Sequence, residues 1–484
     1  MQFLILFERQ RIKGMNLQLE IKTKPIFFTI ILLIIFLPVL AFSLSKGFEL
    51  YLLGIVTIFP LVVIFLRYPK VWIYFSTLLF TVFLIYKGKE DEAAFLEILI
   101  AILIIPGIFY FLFYKMIIER KLVIENYGDL FIIFFVVFLP FNAIIAVLND
   151  VDFIRWLREV TILLFILMYF PIREYIKKES DLIILLACAM VAAISSIIYI
   201  VYNYKETILG TAAYAYELMG LTVKEKINHI IFTSAYFTSI VLFVTRKNFW
   251  LRVLLFAVSA ASLIALIITV SRTFWIVAVL GTIILFIYYG WKERMRFIFF
   301  YGVVSIATIG VIYFAFGSNY QIVTRLIEQR FLSATKGKKD KSLQSRLAEY
   351  PVVLKGIAEY PLGGNGFAKS IRFREPIRVQ TIKQQFIHNG FTSLPFRAGI
   401  PLSLFYISFF IFYFVRSFRL ILLTKKHYLQ PYVLSAFMIL VILLVSQTTF
   451  QQYLLRDFNF AGFIAITMIE FVNRNYKRTE FLEK

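Results

Sequence analysis

The feature that most constrains the fold is a series of apolar runs, each about 16–22 residues long, that recurs along most of the chain. Hydrophobic residues make up 61% of the 484 positions, against roughly 45–50% in soluble domains. A helix needs about 20 apolar residues to cross the hydrocarbon layer, so runs of this length are typical of membrane-spanning helices. They predict an all-α polytopic membrane protein with about fourteen transmembrane helices.

The net charge of +22 has two possible meanings. In a soluble protein, such an excess of Lys and Arg would indicate a nucleic-acid partner. Here most basic residues sit in short clusters between apolar runs, and these clusters alternate with loops that are poor in Lys and Arg. By the positive-inside rule, this alternation predicts that both chain ends are cytoplasmic, and no nucleic-acid partner is expected.

The same alternation divides the chain into five segments. Residues 1–25 are expected to be a cytoplasmic N-terminus, and residues 26–317 to carry transmembrane helices 1–11. Residues 318–399 are polar and predict a large periplasmic loop that contains short helices. Residues 400–472 are expected to carry transmembrane helices 12–14, and residues 473–484 to be a cytoplasmic C-terminus.

The predicted periplasmic loop is strongly basic, with 14 Lys and Arg residues against 5 Asp and Glu. The positive-inside rule does not explain basic charge on the outer face. Two interpretations are open: docking onto anionic lipid head groups, or a site for an anionic ligand. Within the loop, Ser342 is expected to cap a helix that carries Arg346 and Glu349 and breaks near Pro351. Residues 361–366 predict a turn with positive φ angles.

Two residues are the first candidates for chemistry. Arg272 stands between two apolar runs with no other charge near it. It either snorkels toward the membrane surface or binds a phosphate through its planar guanidinium. His388 lies in the basic loop, and a neutral imidazole can accept the proton of a hydroxyl. On the sequence alone, a structural role for His388 is about as well supported as a catalytic one.

Other charged residues leave further alternatives open. Asp150 and Asp152 precede a predicted helix, so they are either caps of that helix or ligands of a divalent metal. Arg155 and Arg158 follow about one helical turn apart. They either add to an anion site or snorkel beside Trp156.

Three segments, in this order, resemble the O-antigen ligase and O-antigen polymerase superfamily of bacterial envelope glycosyltransferases. The first is Ser271-Arg272-Thr273-Phe274-Trp275 at the predicted outer end of a span. The second is Ser345-Arg346 followed by Tyr360-Pro361-Leu362-Gly363-x-x-Gly366. The third is His388-Asn389, which nine residues separate from Gly399. The resemblance covers residues 230–406.

The resemblance implies a GT-C-like, metal-independent, inverting glycosyltransferase that uses no cofactor. Its donor would be a glycan on undecaprenyl diphosphate at the periplasmic face of the bacterial inner membrane. Arg272 and Arg346 would hold the diphosphate, and His388 would be the general base. Membrane lipids are further expected partners. We expect the remaining substrate contacts from Asn389, Arg155, Arg158, Arg372 and Arg374.

Ligation of polysaccharide onto lipid A-core is the preferred function within this resemblance. Polymerisation of O-antigen or exopolysaccharide repeats stays open, because Leu402 stands where the ligase motif usually continues with Gly, Thr or Tyr. A transporter or flippase of lipid-linked sugar is an alternative from another class, and it would place charged pairs within the spans. A metal-dependent transferase that uses Asp150 and Asp152 is a third alternative.

Overall fold

The structure is a computed structural model that describes residues 67–85, 95–209, 229–269, 271–316, 341–375, 380–425 and 427–483, with residues 321, 324, 327, 328 and 332 besides. The predictions for residues 1–66 and for most of residues 317–340 fall outside the described residues. The chain divides into two compact units, Met1–Phe75 and Ser76–Lys484. In the first unit, residues 67–75 include the start of a helix, α1 (Pro69–Ile85).

The second unit is mostly helical, as the apolar runs predict. Its described helices are α2 (Phe95–Phe113), α3 (Tyr127–Leu148), α4 (Phe153–Leu164), α5 (Tyr169–Tyr175), α6 (Glu179–Leu209), α7 (His229–Thr245), α8 (Phe249–Ile268), α9 (Arg272–Tyr288), α10 (Trp291–Phe316), α11 (Lys341–Glu359), α12 (Gly390–Ala398), α13 (Ile400–Leu423), α14 (Gln430–Ser446) and α15 (Arg456–Glu483). A π-helical turn, Tyr114–Ile118, follows α2, and 3-10 turns at Phe165–Met168 and Gln452–Leu454 precede α5 and α15.

Among the described residues, five helices are long and apolar enough to cross a membrane. Their apolar parts are Tyr127–Leu148, Glu179–Asn203, Phe249–Ile268, Trp291–Val311 and Ile400–Leu423. Shorter apolar helices of 10–17 residues include α7, α9 and α14. The chain is therefore a helical membrane protein, and the total of about fourteen spans stays a prediction.

Helix α15 forms the centre of the helical bundle. Every residue from Asp457 to Val472 is buried, so this stretch faces protein on all sides. It packs against α14, α7 and α13. Its burial explains how a predicted span can contain polar side chains such as Asn459 and Glu470, because neighbouring helices rather than lipid surround them.

A cluster of buried charged side chains joins α3, α5, α13 and α15. In α3 the cluster lies near the N-terminal end of the helix, at Asp129. The guanidinium of Arg173 donates to Oδ2 of Asp129 at 2.7 Å, and the hydroxyl of Tyr169 donates to Oδ1 at 2.7 Å. Arg416 lies 2.8 Å from Glu470. These are charged pairs within the bundle, which the transporter alternative requires. Each acid has an arginine partner, so the charges balance.

The predicted loop contains a longer helix than expected, and it also contains a two-stranded hairpin. Helix α11 runs for 19 residues. A two-stranded antiparallel hairpin follows, β1 (Ile371–Glu375) and β2 (Gln380–Gln384), in which Ile371 lies opposite Gln384. A small core holds these elements together: Val353, Ile371, Phe373, Ile387 and Phe396.

Two expectations for this loop were wrong in detail. Helix α11 does not break at Pro351 but continues to Glu359. Pro351 lies on the exposed side of α11, so water can hydrate the carbonyl group that its missing N–H leaves without a helical partner. The helix begins at Lys341, so Ser342 lies inside its first turn rather than before it. The hairpin was not predicted, although the alternation Ile371-Arg372-Phe373-Arg374 is the pattern of a half-buried strand.

Candidate functional site

His388 lies between β2 and α12, where its imidazole faces α11. The Nδ1 atom lies 2.5 Å from Oε1 of Glu349, and the backbone N–H of His388 donates to Oε2 of the same carboxylate at 3.1 Å. The side chain of Glu349 is 3% exposed, and that of His388 is 30% exposed. One nitrogen of the imidazole therefore meets a buried acid, while part of the ring stays accessible to a ligand.

The surroundings of Glu349 favour its carboxylate as a hydrogen-bond acceptor. The side-chain amide of Gln384, at the end of β2, donates to Oε1 at 2.9 Å. When Glu349 is ionised it can only accept in this bond, and Nδ1 of His388 is then the donor. A neutral imidazole that donates from Nδ1 has its lone pair on Nε2.

Arg346 lies one turn before Glu349 on the same face of α11. Residues three, four and seven positions apart share a helix face, and here Arg346, Glu349, Tyr350 and Val353 follow that spacing. Glu349 bonds to His388, and Val353 packs in the small core beneath this segment. The half-buried Arg346 therefore lies on the face of α11 that meets His388 through Glu349.

Asn389 is the N-cap of α12. Its Oδ1 accepts from the backbone N–H groups of Phe391 at 2.9 Å and Thr392 at 3.3 Å, and its Nδ2 donates to the hydroxyl of Tyr350 at 2.8 Å. These bonds hold the residue next to His388 against α11. A contact between Asn389 and substrate stays a prediction.

Arg397, in the last turn of α12, is fully buried and joins three parts of the site. Its guanidinium donates to Oε2 of Glu159 on α4, to the carbonyl oxygen of Gln385, and to Oε1 of Gln451 at 3.3 Å. Glu159 also accepts from the backbone N–H of Ala368 at 2.7 Å. Burial lowers the pKa of Arg397, but the Glu159 carboxylate outweighs this effect and raises that pKa above its usual value. Arg397 is therefore a permanent cation.

The turn at residues 361–366 has the positive φ angles that its glycines predict, +70° at Gly364 and +89° at Gly366. A Cβ on Gly364 would lie 2.5 Å from the carbonyl oxygen of Arg397, and one on Gly366 would lie 2.5 Å from Cα of Ala146 in α3. The side-chain amide of Asn142, also in α3, donates to the same Arg397 carbonyl at 2.8 Å. Glycine thus lets the turn pack directly onto two backbones.

Residues 256–407, from α8 into α13, match the family model described as O-antigen ligase. The match contains Arg272, Arg346, the glycine turn, His388 and Arg397. Residues 256–407 of this chain are therefore similar to O-antigen ligases. This similarity supports glycosyltransferase activity in a broad sense. A comparison with curated proteins gives no match.

Within the segment that matches the O-antigen ligase model, Arg272 is the first residue of α9. The ring of Phe274, two residues further on, meets the ring of His229 edge-on at 5.0 Å between centroids. His229 begins α7, and the backbone N–H of the next residue, Ile230, donates to Oδ2 of Asp457 at 3.1 Å. The N-terminal ends of α7, α9 and α15 therefore meet near Asp457, and Arg272 lies at the N-terminal end of α9.

The segment just before α15 links that meeting point to the His388 segment. The side-chain oxygen of Gln451 accepts from the backbone N–H of Ile387 at 3.1 Å. The ring of Phe450 lies 6.2 Å from that of His388 between centroids. Arg272 and His388 are consequently at the same end of the helical bundle. That they share one pocket stays a prediction.

Two of the predicted substrate-binding arginines line the same cleft, which has a volume of about 610 Å³. Arg155, from the first turn of α4, and Arg372, from β1, both line it. Arg158 is half-buried one turn further along α4, and Arg374 is exposed two residues further along β1. Neither of the latter two belongs to the lining of the cleft.

Asp152 has the capping role that was one of its two predicted alternatives. Its side chain accepts from the backbone N–H of Arg155 at 3.0 Å, at the N-terminus of α4. Asp150 has a positive φ of 57° and borders the cleft. Over the part of the chain that the structure describes, no group of three or more His, Cys, Asp or Glu side chains is arranged to hold a metal ion.

Sequence reasoning missed three charged residues of this site: Glu349, Arg397 and Glu159. Glu349 follows Arg346 by three residues, which is a spacing that places both on one helix face. Arg397 lies between the motif residues Asn389 and Gly399. Glu159 lies outside the stretch that the O-antigen ligase model matches, and nothing near it in the sequence marks it as a partner of Arg397.

Proposed function

We propose that this protein is a metal-independent, inverting glycosyltransferase that moves a glycan from undecaprenyl diphosphate to an acceptor hydroxyl at the periplasmic face of the bacterial inner membrane. It needs no cofactor, because the bond to be broken is already activated in the donor. The preferred acceptor is lipid A-core, which makes the reaction that of an O-antigen ligase. A growing polysaccharide is the acceptor in the polymerase alternative.

The observation that carries this proposal is the pairing of His388 with the buried carboxylate of Glu349, 2.5 Å away. A general base needs a free lone pair in the tautomer that faces its substrate. The hydrogen bond at Nδ1 leaves that lone pair on Nε2. The negative charge of Glu349 also stabilises the imidazolium that forms when Nε2 takes a proton.

The bond changes in this reaction are simple. Nε2 of His388 takes the proton of the acceptor hydroxyl while the hydroxyl oxygen forms a bond to the anomeric carbon. The bond between that carbon and the diphosphate oxygen breaks on the opposite face, which inverts the configuration. Undecaprenyl diphosphate leaves with the electron pair. The imidazolium later releases its proton to water.

Arg272 and Arg346 are the proposed partners of the leaving diphosphate. A guanidinium matches phosphate oxygens in a bidentate way and stays charged at any physiological pH. Arg272 begins α9, where the backbone N–H groups of the helix terminus add to the positive potential. Negative charge grows on the diphosphate as the sugar leaves, so these cations favour the transition state over the ground state.

The proposal includes the predicted topology of about fourteen spans, with residues 318–399 in the periplasm and both chain ends in the cytoplasm. This topology is supported by the positions of two polar regions, the Asp129–Arg173 cluster and the site around the glycine turn, at opposite ends of α3. The Asp129–Arg173 pair lies near the start of α3, and the contacts with the glycine turn lie near the end of α3. A single apolar helix of 22 residues thus separates the two polar regions.

The buried charge pairs are the observation that favours a transporter or flippase instead. Asp129 accepts from Arg173, from Tyr169 and from the backbone N–H of Glu125 at 2.7 Å. Carboxylate oxygens with this many donors are held firmly, which suits a joint between helices better than a charge that moves during transport.

Reconstituted protein tests the proposal directly. The donor is an undecaprenyl diphosphate-linked glycan, and the acceptors are purified lipid A-core and, separately, a second molecule of the lipid-linked glycan. Extension of lipid A-core identifies a ligase, and extension of the glycan identifies a polymerase. We expect His388→Ala, Arg272→Ala and Arg346→Ala each to lower transfer by about 10²-fold or more while the protein stays folded and inserted.

Full transfer by His388→Ala would remove the base assignment. Movement of the lipid-linked glycan across the vesicle membrane, without extension of any acceptor and without dependence on His388, would identify a transporter instead.

A further inference from the structure

The cleft of about 610 Å³ begins beside the proposed reaction centre on the same helix. Val352, which lines it, follows Glu349 by three residues, or about 5 Å along the helix axis. From Val352 to Glu359 the wall continues for about 10 Å. The volume lies within the roughly 300–1,000 Å³ of typical ligand pockets. The cleft is therefore sized for a short oligosaccharide rather than for a single ion.

Basic side chains outnumber acidic ones in this cleft, by five to three. The acids are Asp150, Asp152 and Glu359, and two of them have partners within the walls. Asp152 accepts from a backbone N–H of α4, and Glu359 lies 3.8 Å from Lys355. The basic residues are Arg155, Lys355, Lys369, Arg372 and Lys383.

The hairpin places two of these cations directly opposite each other. Arg372 on β1 pairs in register with Lys383 on β2, and both side chains are exposed and line the cleft. Residues opposite each other across an antiparallel pair have Cβ atoms about 4.5–5.5 Å apart, and like charges there destabilise the sheet. An anionic group bound between the two side chains would replace that repulsion with attraction.

We infer that this cleft binds an acidic sugar, one that carries a carboxylate or a phosphate, in the glycan next to the reacting residue. Arg372 and Lys383 hold the acidic group, and Arg155 is a third basic side chain in the lining of the same cleft. Asp150 and Glu359 have oxygens suited to accept bonds from sugar hydroxyls. The inference rests on the proposed function and adds to it the substrate class: the protein transfers or extends a negatively charged polysaccharide.

A binding measurement tests the inference apart from catalysis. The full-length protein in detergent is titrated by calorimetry with short galacturonic acid oligomers, with the same oligomers after reduction of their carboxylates to alcohols, and with phosphatidylglycerol nanodiscs. We expect the acidic oligomers to bind at least tenfold more tightly than the reduced ones, with an affinity that falls as salt rises. The double variant Arg372→Ala/Lys383→Ala should lose that tenfold preference.

The matched control is Thr381→Ala, two residues from Lys383 on the same exposed face of β2 and outside the cleft. It should bind as the unaltered protein does. Equal binding of acidic and reduced oligomers, or an unchanged preference in the double variant, would overturn the inference. The inference would also be overturned if the double variant lost only its binding to phosphatidylglycerol. That result would show that the two residues form a lipid-docking surface.

Transfer activity measured on the same preparations separates the two proposals. If transfer is present but acidic oligomers show no preference, only the cleft assignment fails. If the preference is present but no acceptor is extended, the transferase proposal fails while the cleft keeps its ligand class.

Discussion

The imidazole of His388 and the carboxylate of Glu349 form one hydrogen-bonded unit, with Nδ1 2.5 Å from Oε1, although they are 39 positions apart in the chain. The buried acid orients this residue through two hydrogen bonds, one at Nδ1 and one at the backbone N–H. Glu349→Gln removes the charge but keeps the shape. We expect this change to reduce the turnover number for transfer by about 10²-fold, with a much smaller effect on KM for the lipid-linked donor.

Leu347→Ala is the control for that experiment, because Leu347 is 52% exposed on the same helix. It should transfer at close to the rate of the unaltered protein. A rise in KM without loss of turnover in Glu349→Gln would contradict an orienting role and would assign Glu349 to substrate binding.

Arg397→Met should strongly destabilise the protein, by about 3–5 kcal/mol, because it leaves the Glu159 carboxylate without its buried cation. Arg397→Lys should also destabilise it, since one ammonium group cannot reach Glu159, Gln385 and Gln451 together. Thermal unfolding in detergent measures both effects. Arg419→Met changes an exposed arginine and should alter stability by about 0.5 kcal/mol or less. Equal melting temperatures for Arg397→Met and Arg419→Met would refute the structural role.

Gly364→Ala should destabilise the protein by more than about 1 kcal/mol. Its φ of +70° disfavours any side chain, and the new Cβ would lie 2.4 Å from the backbone nitrogen of Gly399. Gly302→Ala is the matched comparison, because a Cβ there meets nothing within 4 Å and α10 is helical. That change should be neutral or stabilising, by up to about 1 kcal/mol. Similar melting temperatures for the two variants would argue against the close packing of the turn.

Lys383→Glu should make the hairpin more stable and the cleft less able to bind an acid. The new glutamate would lie opposite Arg372 on the neighbouring strand. A cross-strand pair of opposite charges contributes about 0.2–1 kcal/mol to the stability of a sheet. Thr381→Glu does the same opposite Arg374 but outside the cleft, so it should stabilise without weakening the binding of acidic oligomers. Thermal unfolding and calorimetry on both variants separate the two effects. Loss of binding in both variants would point to a diffuse charge effect instead.

Chelation should leave transfer unchanged if, as we propose, Arg272 and Arg346 provide the positive charge that the leaving diphosphate needs. The measurement is transfer to lipid A-core before and after treatment with EDTA. Loss of activity that magnesium restores would favour the metal-dependent alternative, with Asp150 and Asp152 as ligands.

The sequence predicts the parts of this protein that depend on local composition. The apolar runs predict helices such as α3 and α13, and the glycines of the turn predict positive φ angles that Gly364 and Gly366 adopt. A helix cap was one of the two predicted roles of Asp152, and the structure shows that role. Capping could be predicted because it depends only on the next few residues of the chain.

The missing parts depend on contacts between distant segments. Glu159 and Arg397 are 238 residues apart, and either could pass for a solvated charge when read alone. The helix α11 continues through Pro351 because that residue lies on the side facing solvent. Which side faces solvent follows from the packing of Val353 against the hairpin, which is a contact between distant segments.

The position of Arg397 limits how this protein can be recombined with related chains. Its side chain reaches α4, the end of β2 and the stretch before α15. A chimera that exchanges residues 341–399 would keep Glu159 and Gln451 but replace the Arg397 side chain and the Gln385 carbonyl that meet them. An exchanged loop should therefore be transplanted together with α4 and residues 447–454.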